Sequence, residues 1–255
     1  DVDAIVFWTK NPKPLLRFLP ELDDLGLKYY FQFTLNPYDK LFEPHVPSLV
    51  ERIETFRTLA DMIGPRRVIW RYDPIILSSV TPIGYHLEQF ARIAEGLQGA
   101  SERAMFSFLD FYSKASKRLK AIEREHGVSF FDITGEEYTD DRRGLLSSIQ
   151  SSAADNGMSL RSCTEAEELD DIGIRHGRCI DSGLVQELFG RGGKFTRDKY
   201  QRKECGCVES VDMGIYNTCS FQCAYCYANA GPQMIAANLK KHNSTGPALI
   251  GEYPH

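Results

Sequence analysis

Short apolar runs alternate with longer stretches of helical period along most of the chain. Residues 4–8, 29–35, 68–72 and 105–109 are rich in β-branched and aromatic side chains and predict strands. Each gives way to polar or proline-bearing residues: Thr9-Lys10-Asn11-Pro12, Asn36-Pro37, Asp73-Pro74 and Asp110. Between them, Ser48 and Glu51 form a capping box ahead of Val50, Ile53, Phe56, Leu59, Ala60 and Ile63, and Gly64-Pro65 stops that helix. Thr81-Pro82 opens the next, with Ile83, Leu87, Phe90, Ala91 and Ala94 on one face. Further helices are expected over about 113–126 and 141–155, then a short strand at Ser159-Leu160-Arg161-Ser162. Strand and helix in regular alternation imply an α/β fold with parallel pairing, in which chemistry collects at the strand ends.

The character changes after Cys163. Thr164 caps toward Glu167, a helix is expected from Ser182 to Leu188, a glycine-rich loop follows at Gly190-Arg191-Gly192-Gly193-Lys194, and a last strand is read over 211–216. The pattern divides the chain into 1–162, a cysteine-containing insert 163–210, and 211–255. The 255 residues are 42% hydrophobic and 25% charged, enough for one sizeable core. Net charge is −5, which disfavours a broad nucleic-acid surface. No apolar run approaches a bilayer span and no leader opens the chain, so a cytoplasmic protein is expected. Asp1 runs directly into a strand, and a preceding N-terminal piece is expected.

Seven cysteines in such a chain point to metal or redox chemistry rather than disulfides. Cys219-Ser220-Phe221-Gln222-Cys223-Ala224-Tyr225-Cys226 has the spacing C-x3-C-x2-C. Three thiolates on one loop suit three corners of a [4Fe–4S] cube, leaving the fourth iron open to an exogenous ligand. A zinc knuckle is the competing reading, although zinc sites usually add a second Cys or His pair.

These residues resemble the radical SAM superfamily, whose cluster loop chelates S-adenosylmethionine at the open iron. Val6-Phe7-Trp8-Thr9-Lys10-Asn11-Pro12, Phe42-Glu43-Pro44-His45-Val46-Pro47-Ser48 with Glu51-Arg52-Ile53, and Trp70-Arg71-Tyr72-Asp73-Pro74-Ile75 resemble its spore photoproduct lyase branch. The cysteine loop stands at the wrong end of the chain for that superfamily. The resemblance therefore implies a partial (β/α) TIM-type barrel, circularly permuted so that strand 211–216 and the loop close it, as in one uncharacterised family known only as a domain of unknown function. It further implies that Lys10, Asn36, Glu43, Arg71 and Tyr225 contact the cofactor, and that Tyr227 helps shield the cluster.

The remaining Cys163, Cys179, Cys205 and Cys207 offer a second, auxiliary site, either another [4Fe–4S] cluster, which is favoured, or zinc, with His176 as a substitute ligand. Asp73 and Asp110 are candidates to face substrate; no acid or base is assigned. The expected activity is reductive cleavage of S-adenosylmethionine to a 5′-deoxyadenosyl radical acting on a small molecule or peptide, with flavodoxin or ferredoxin as electron donor. The alternatives are a non-catalytic iron–sulfur or zinc protein, and an enzyme transferring a 3-amino-3-carboxypropyl group. The basic stretch 113–120 reads as a solvated helix face.

Overall fold

The computed structural model describes residues 2–111, 113–190, 193 and 195–251, with backbone alone at 113 and 114; Arg191, Gly192 and Lys194 of the glycine-rich loop lie outside the described residues. The chain forms two compact units. The first comprises 1–37, 47–109 and 131–210, the second 38–46, 110–130 and 211–255. The cysteine-containing segment 163–210 thus belongs to the unit that carries the strands.

The first unit is built on β1 (Ile5–Thr9), β2 (Tyr29–Thr34), β3 (Val68–Ile75), β5 (Arg103–Phe108), β7 (Ser159–Ser162) and β8 (Arg175–His176), paired side by side in that order. Every pair is parallel. The two-residue strands β4 (Leu77–Ser78) and β6 (Phe130–Phe131) lie outside this sheet. Helices α1 (Leu19–Asp24), α2 (Leu49–Ile63), α3 (Ile83–Gly96) and α5 (Thr139–Asp155) connect the strands, and α6 (Ser182–Phe189) follows β8. The second unit holds α4 (Ser113–His126) and α7 (Pro232–Leu239).

The sheet is buried on both faces, which is why its central strands read as unbroken apolar runs. On one face Phe33, Trp70, Tyr72 and Phe106 pack with Phe56 of α2, Phe90 of α3 and Leu146 of α5. Trp70 and Phe90 stand 4.5 Å apart between ring centroids, and Phe33 stacks on Phe56 at 5.1 Å. On the other face, Tyr30, Ile69 and Met105 pack with Leu184 and Val185 of α6 and with the four cysteines Cys163, Cys179, Cys205 and Cys207.

Strand order follows chain order, so each crossover steps the same way, as in the wall of a barrel. The sheet is open, however, with β1 and β8 at its edges. The strand expected over 211–216 does not form: Val211 is 88% and Met213 72% exposed, and no strand is assigned there. A strand needs a ladder partner and a face to bury. This segment has neither.

The capping box at Ser48 and Glu51 is present as read, with the Glu51 N–H donating to Ser48 Oγ and the Ser48 N–H to the Glu51 carboxylate. Two local expectations are corrected. In α3 the buried face is His86, Phe90, Ile93 and Ala94, while Ala91 faces outward because the inward stripe sits one position further round. No helix starts at Thr164; its hydroxyl donates to the Cys163 carbonyl at 2.6 Å, and its φ of 59° bends the chain out of β7 instead. Glu167 pairs with Arg142 and Arg143 of α5.

Candidate metal centres

Cys163 follows directly on β7 and Cys179 comes three residues after β8, so parallel pairing of these strands sets both thiols above the same end of the sheet. Their Sγ atoms are 3.3 Å apart. Cys207 Sγ accepts from the backbone N–H of Cys179 at 3.2 Å and of Ile180 at 3.4 Å. Cys205 is also buried, two positions before Cys207 on the same short turn and in the same buried cluster. The four cysteines left over from the loop motif therefore lie in one buried cluster, with Cys163 and Cys179 in sulfur contact and Cys207 bonded to the Cys179 backbone.

The sheet fixes this cluster through side chains. Tyr30 and Gln32, alternate residues of β2, both donate to the Cys179 carbonyl, at 2.6 and 3.0 Å. From β3, Arg71 donates to Cys179 Sγ at 2.7 Å and to Cys163 Sγ at 3.4 Å. Gly177 is required by close approach, since a Cβ there would stand 2.7 Å from the Ser162 carbonyl oxygen and 2.6 Å from Met105 Cε. Tyr30, Gln32 and Gly177 carry no motif, and only their placement beside Cys179 reveals them. His176 does not join the cysteines; it is exposed, with Nδ1 at 3.3 Å from Ser162 Oγ and Nε2 at 3.4 Å from Glu168.

Hydrogen bonding to Cys179, with burial, holds the Cys163 thiol well above the ordinary thiol range. For Cys179, the bond with Cys163 pulls down but is outweighed by the bond with Cys207 and by burial, which push it up to about 11. Cys207 is lowered, by the hydrogen bond from Cys179 and by the Ile180 N–H, against the effect of burial.

Arg71 also pairs with Asp73, at 2.9 Å through Nε and 2.5 Å through Nη2. Register slips here: Tyr72 pairs with Phe106, but the next partners are Ile75 and Phe108, so two residues of β3 face one of β5. Such a bulge re-aims a side chain. Asp73 meets Ser107, whose hydroxyl donates to Asp73 Oδ1. Asn36 closes the group, donating to the Asp73 carbonyl at 2.8 Å and accepting from its N–H at 2.9 Å. Burial raises the Asp73 carboxyl, but Arg71 and Ser107, with Lys10 adding a further attraction, bring it below its usual value. Lys10, Asn36, Arg71 and Asp73 are thus one constellation at the strand ends.

In the second unit, Cys219, Cys223 and Cys226 sit on a loop closed on itself. The Asn217 N–H donates to the Ala228 carbonyl at 3.0 Å, the Ala230 N–H to Asn217 Oδ1 at 2.6 Å, and Asn229 Nδ2 to the Cys219 carbonyl at 3.0 Å. Asn217 and Gln222 take positive φ, 61° and 56°, to make the turns. Arg118 of α4 clamps the loop, donating to the carbonyls of Ala224 at 2.8 Å, Asn229 at 3.0 Å and Cys226. Cys219 is exposed, Cys226 half-buried and Cys223 buried. Glu43 is buried and accepts from the Tyr225 hydroxyl, and the Ala224 N–H donates to the Phe42 carbonyl at 2.9 Å. Burial, then the Glu43 charge, push the Tyr225 phenol well up. Tyr227 is exposed and meets Tyr216 edge to face at 6.3 Å.

The basic stretch expected to be a solvated helix face is not one throughout: Ala115 and Leu119 are buried, and Arg118 falls beside them on the inward side of α4, where it donates to the loop carbonyls. Of the five expected cofactor contacts, the fold gathers Lys10, Asn36 and Arg71 in the first unit and Glu43 and Tyr225 in the second. Two surface hollows, between α1 and α2 and between α3 and α5, contain none of these residues. Among the described residues, no three or more His, Cys, Asp or Glu side chains stand gathered as a finished single-ion cage, and no helix is long and apolar enough to cross a membrane.

No curated protein and no solved structure matches the chain. A family model does match, over residues 1–228, a span that includes all seven cysteines. With nine-tenths of its length covered by that model, the chain belongs to the family described as Domain of unknown function (DUF1848).

Proposed function

We propose that this protein is a radical SAM enzyme whose cluster is carried by Cys219, Cys223 and Cys226. The observation that carries the reading is the C-x3-C-x2-C loop itself, closed by its own backbone and clamped by Arg118, with Cys219 open to solvent. A cube binds its thiolates through separate irons, so the three sulfurs need one pre-shaped loop and not the tight cage of a single ion. The donor set fits that group. The chain-ordered, all-parallel strand sequence supports a permuted partial TIM-type barrel as the architecture.

When bound, the cluster supplies the electron that cleaves the sulfonium C–S bond of S-adenosylmethionine to methionine and a 5′-deoxyadenosyl radical. The protein's own groups hold and aim. Arg118 fixes the carbonyls of the residues that bear or flank the ligands. Tyr225 orients the Glu43 carboxylate, a buried charge suited to the cofactor ammonium. In the first unit, Arg71 and Asn36 hold Asp73, toward which Lys10 adds a further attraction. The net charge of −5 favours a small-molecule or peptide substrate over duplex DNA, with flavodoxin or ferredoxin as electron donor in a cytoplasmic setting.

The test is to reduce anaerobically reconstituted protein in the presence of S-adenosylmethionine and quantify the products. Methionine and 5′-deoxyadenosine in equal amounts are expected. Release of 5′-methylthioadenosine would instead mark 3-amino-3-carboxypropyl transfer, and no cleavage by cluster-loaded protein would mark a non-catalytic iron–sulfur protein.

A further inference from the structure

We propose that Cys163, Cys179, Cys205 and Cys207 bind one zinc ion in a closed four-thiolate site, with Arg71 as its charged hydrogen-bond partner. The site lies wholly within the first unit and stands whether or not the radical reading holds.

The sulfur spacing separates one ion from a cube. Four thiolates around zinc at bonds of about 2.3 Å and tetrahedral angles lie about 3.8 Å apart. The 3.3 Å between Cys163 and Cys179 is within half an ångström of that. Thiolates on different irons of a cube are separated by an iron–iron edge as well as two iron–sulfur bonds, well beyond contact. An ion leaves the Cys163–Cys179 pair in place and draws Cys205 and Cys207 in from the same buried cluster, whereas seating a cube would force the two sulfurs apart against Arg71 and the pinned Cys179 backbone.

The surroundings are those of a structural site. All four thiols are buried, at 7–9% exposure, which leaves no open coordination position. No nitrogen ligand competes, since His176 is turned to Ser162 and Glu168. Four thiolates about Zn²⁺ carry two net negative charges, and the groups that meet them are donors: Arg71 on Cys163 and Cys179, and the N–H groups of Cys179 and Ile180 on Cys207. Gly206 lets the two thiols of Cys205-Gly206-Cys207 share one turn beside Arg178, whose side chain would stand 3.1 Å from a Cβ there. Among its described residues, segment 163–210 has β8, α6 and a 3₁₀ turn at Asp170–Ile172 as regular structure, so an ion joining its start, middle and end does the work a sheet ladder does elsewhere.

The experiment measures zinc and iron in the full chain carrying Cys219→Ser, Cys223→Ser and Cys226→Ser, which removes the loop thiols. One zinc per chain and no iron is expected, and cobalt substitution should give the intense thiolate-to-metal absorption of a tetrahedral sulfur site. Adding Cys205→Ser and Cys207→Ser should abolish zinc retention, and Arg71→Gln alone should speed zinc loss to a chelator about tenfold, partly restored in Arg71→Lys. Should the multiple variants fail to fold, zinc-edge X-ray absorption on the unaltered chain should show four sulfurs at about 2.3 Å. Iron with sulfide in the triple variant, a metal-free folded chain with four free thiols or a Cys163–Cys179 disulfide, or nitrogen and oxygen ligands at the zinc edge would each overturn the proposal. Failure to cleave S-adenosylmethionine bears only on the loop, and loss of zinc only on this site.

Discussion

The two cysteine sites use the same side chain in opposite ways. In the first unit, four thiols are buried on one face of a sheet and three of them are held by groups from elsewhere in the fold: Arg71 from β3, Tyr30 and Gln32 from β2 through the Cys179 carbonyl, and the Cys179 and Ile180 N–H groups. In the second unit, three thiols project from a loop whose backbone is fixed while the sulfurs range from buried to exposed. One arrangement constrains the sulfurs. The other constrains only the chain that carries them, which leaves room for a ligand that the protein does not supply. A closed thiolate shell suits structure, and an incomplete one suits chemistry.

If that contrast is right, substitution at the two sites has different consequences. Cys219→Ser, Cys223→Ser or Cys226→Ser should each reduce cofactor cleavage to background while leaving the thermal midpoint of the first unit's unfolding in place. Cys179→Ser should do the reverse in kind, lowering stability and zinc content first and activity only as a consequence. Product analysis beside thermal unfolding on the same preparations decides it; full cleavage activity in all three loop variants would end the distinction.

The next largest effect is expected at Arg71, because it is buried and touches both Asp73 and two thiols. Arg71→Met strands a carboxylate that burial already disfavours. Removing one member of such a pair typically costs about 3–5 kcal/mol, and chemical denaturation should show a loss of that order. A loss under about 1 kcal/mol, the range of an exposed pair, would show that solvent substitutes for the guanidinium.

The legible part of the molecule was that governed by local rules. Parallel α/β order, the Ser48 capping box and the helices over 113–126 and 141–155 follow from periodicity and cap chemistry, which act within a few residues. The thiol spacing of the loop was legible for the same reason. What could not be read depends on contacts far along the chain: Arg118 lies more than a hundred positions from the carbonyls it clamps, and Tyr30 lies 149 positions from Cys179. The strand read over 211–216 shows the opposite error, where local β propensity in Val211, Ile215 and Tyr216 had no ladder to join.

A pH dependence sharpens the contrast from the sheet's other face. His86 Nε2 stands 2.9 Å from the Ile76 carbonyl, which can only accept, so Nε2 carries the proton and Nδ1 accepts from the Tyr72 hydroxyl at 2.9 Å. Burial lowers this imidazole to about 4. Between its ordinary value near 6.5 and that lowered one, the unfolded chain binds the proton and the folded chain does not. Stability from this group is therefore complete above about pH 6.5 and drains away as pH falls to about 4, by about 3 kcal/mol in all. His86→Gln should flatten that slope. Denaturation midpoints of both proteins across pH 4–7 measure it, and parallel slopes would assign the acid sensitivity to other groups.

The smallest expected stability effect carries the most direct test of the loop's design. Arg118 makes its hydrogen bonds from a half-buried position to the carbonyls of Ala224, Cys226 and Asn229, two of which neighbour or bear the proposed ligands Cys223 and Cys226. A charged donor to a neutral carbonyl contributes about 1.5–3 kcal/mol, and water replaces part of that at a half-exposed site, so Arg118→Gln should lower stability by only about 1–2 kcal/mol. Its effect on the loop should be out of proportion, because no other side chain holds these carbonyls among the described residues. Amide exchange within 219–229 should accelerate, and reconstituted iron should be lost faster to a chelator, while zinc content and first-unit stability stay near those of the unaltered protein. Unchanged exchange in this segment would mean that the ring closed by Asn217 and Asn229 holds its shape alone, and the clamp would then be packing without function.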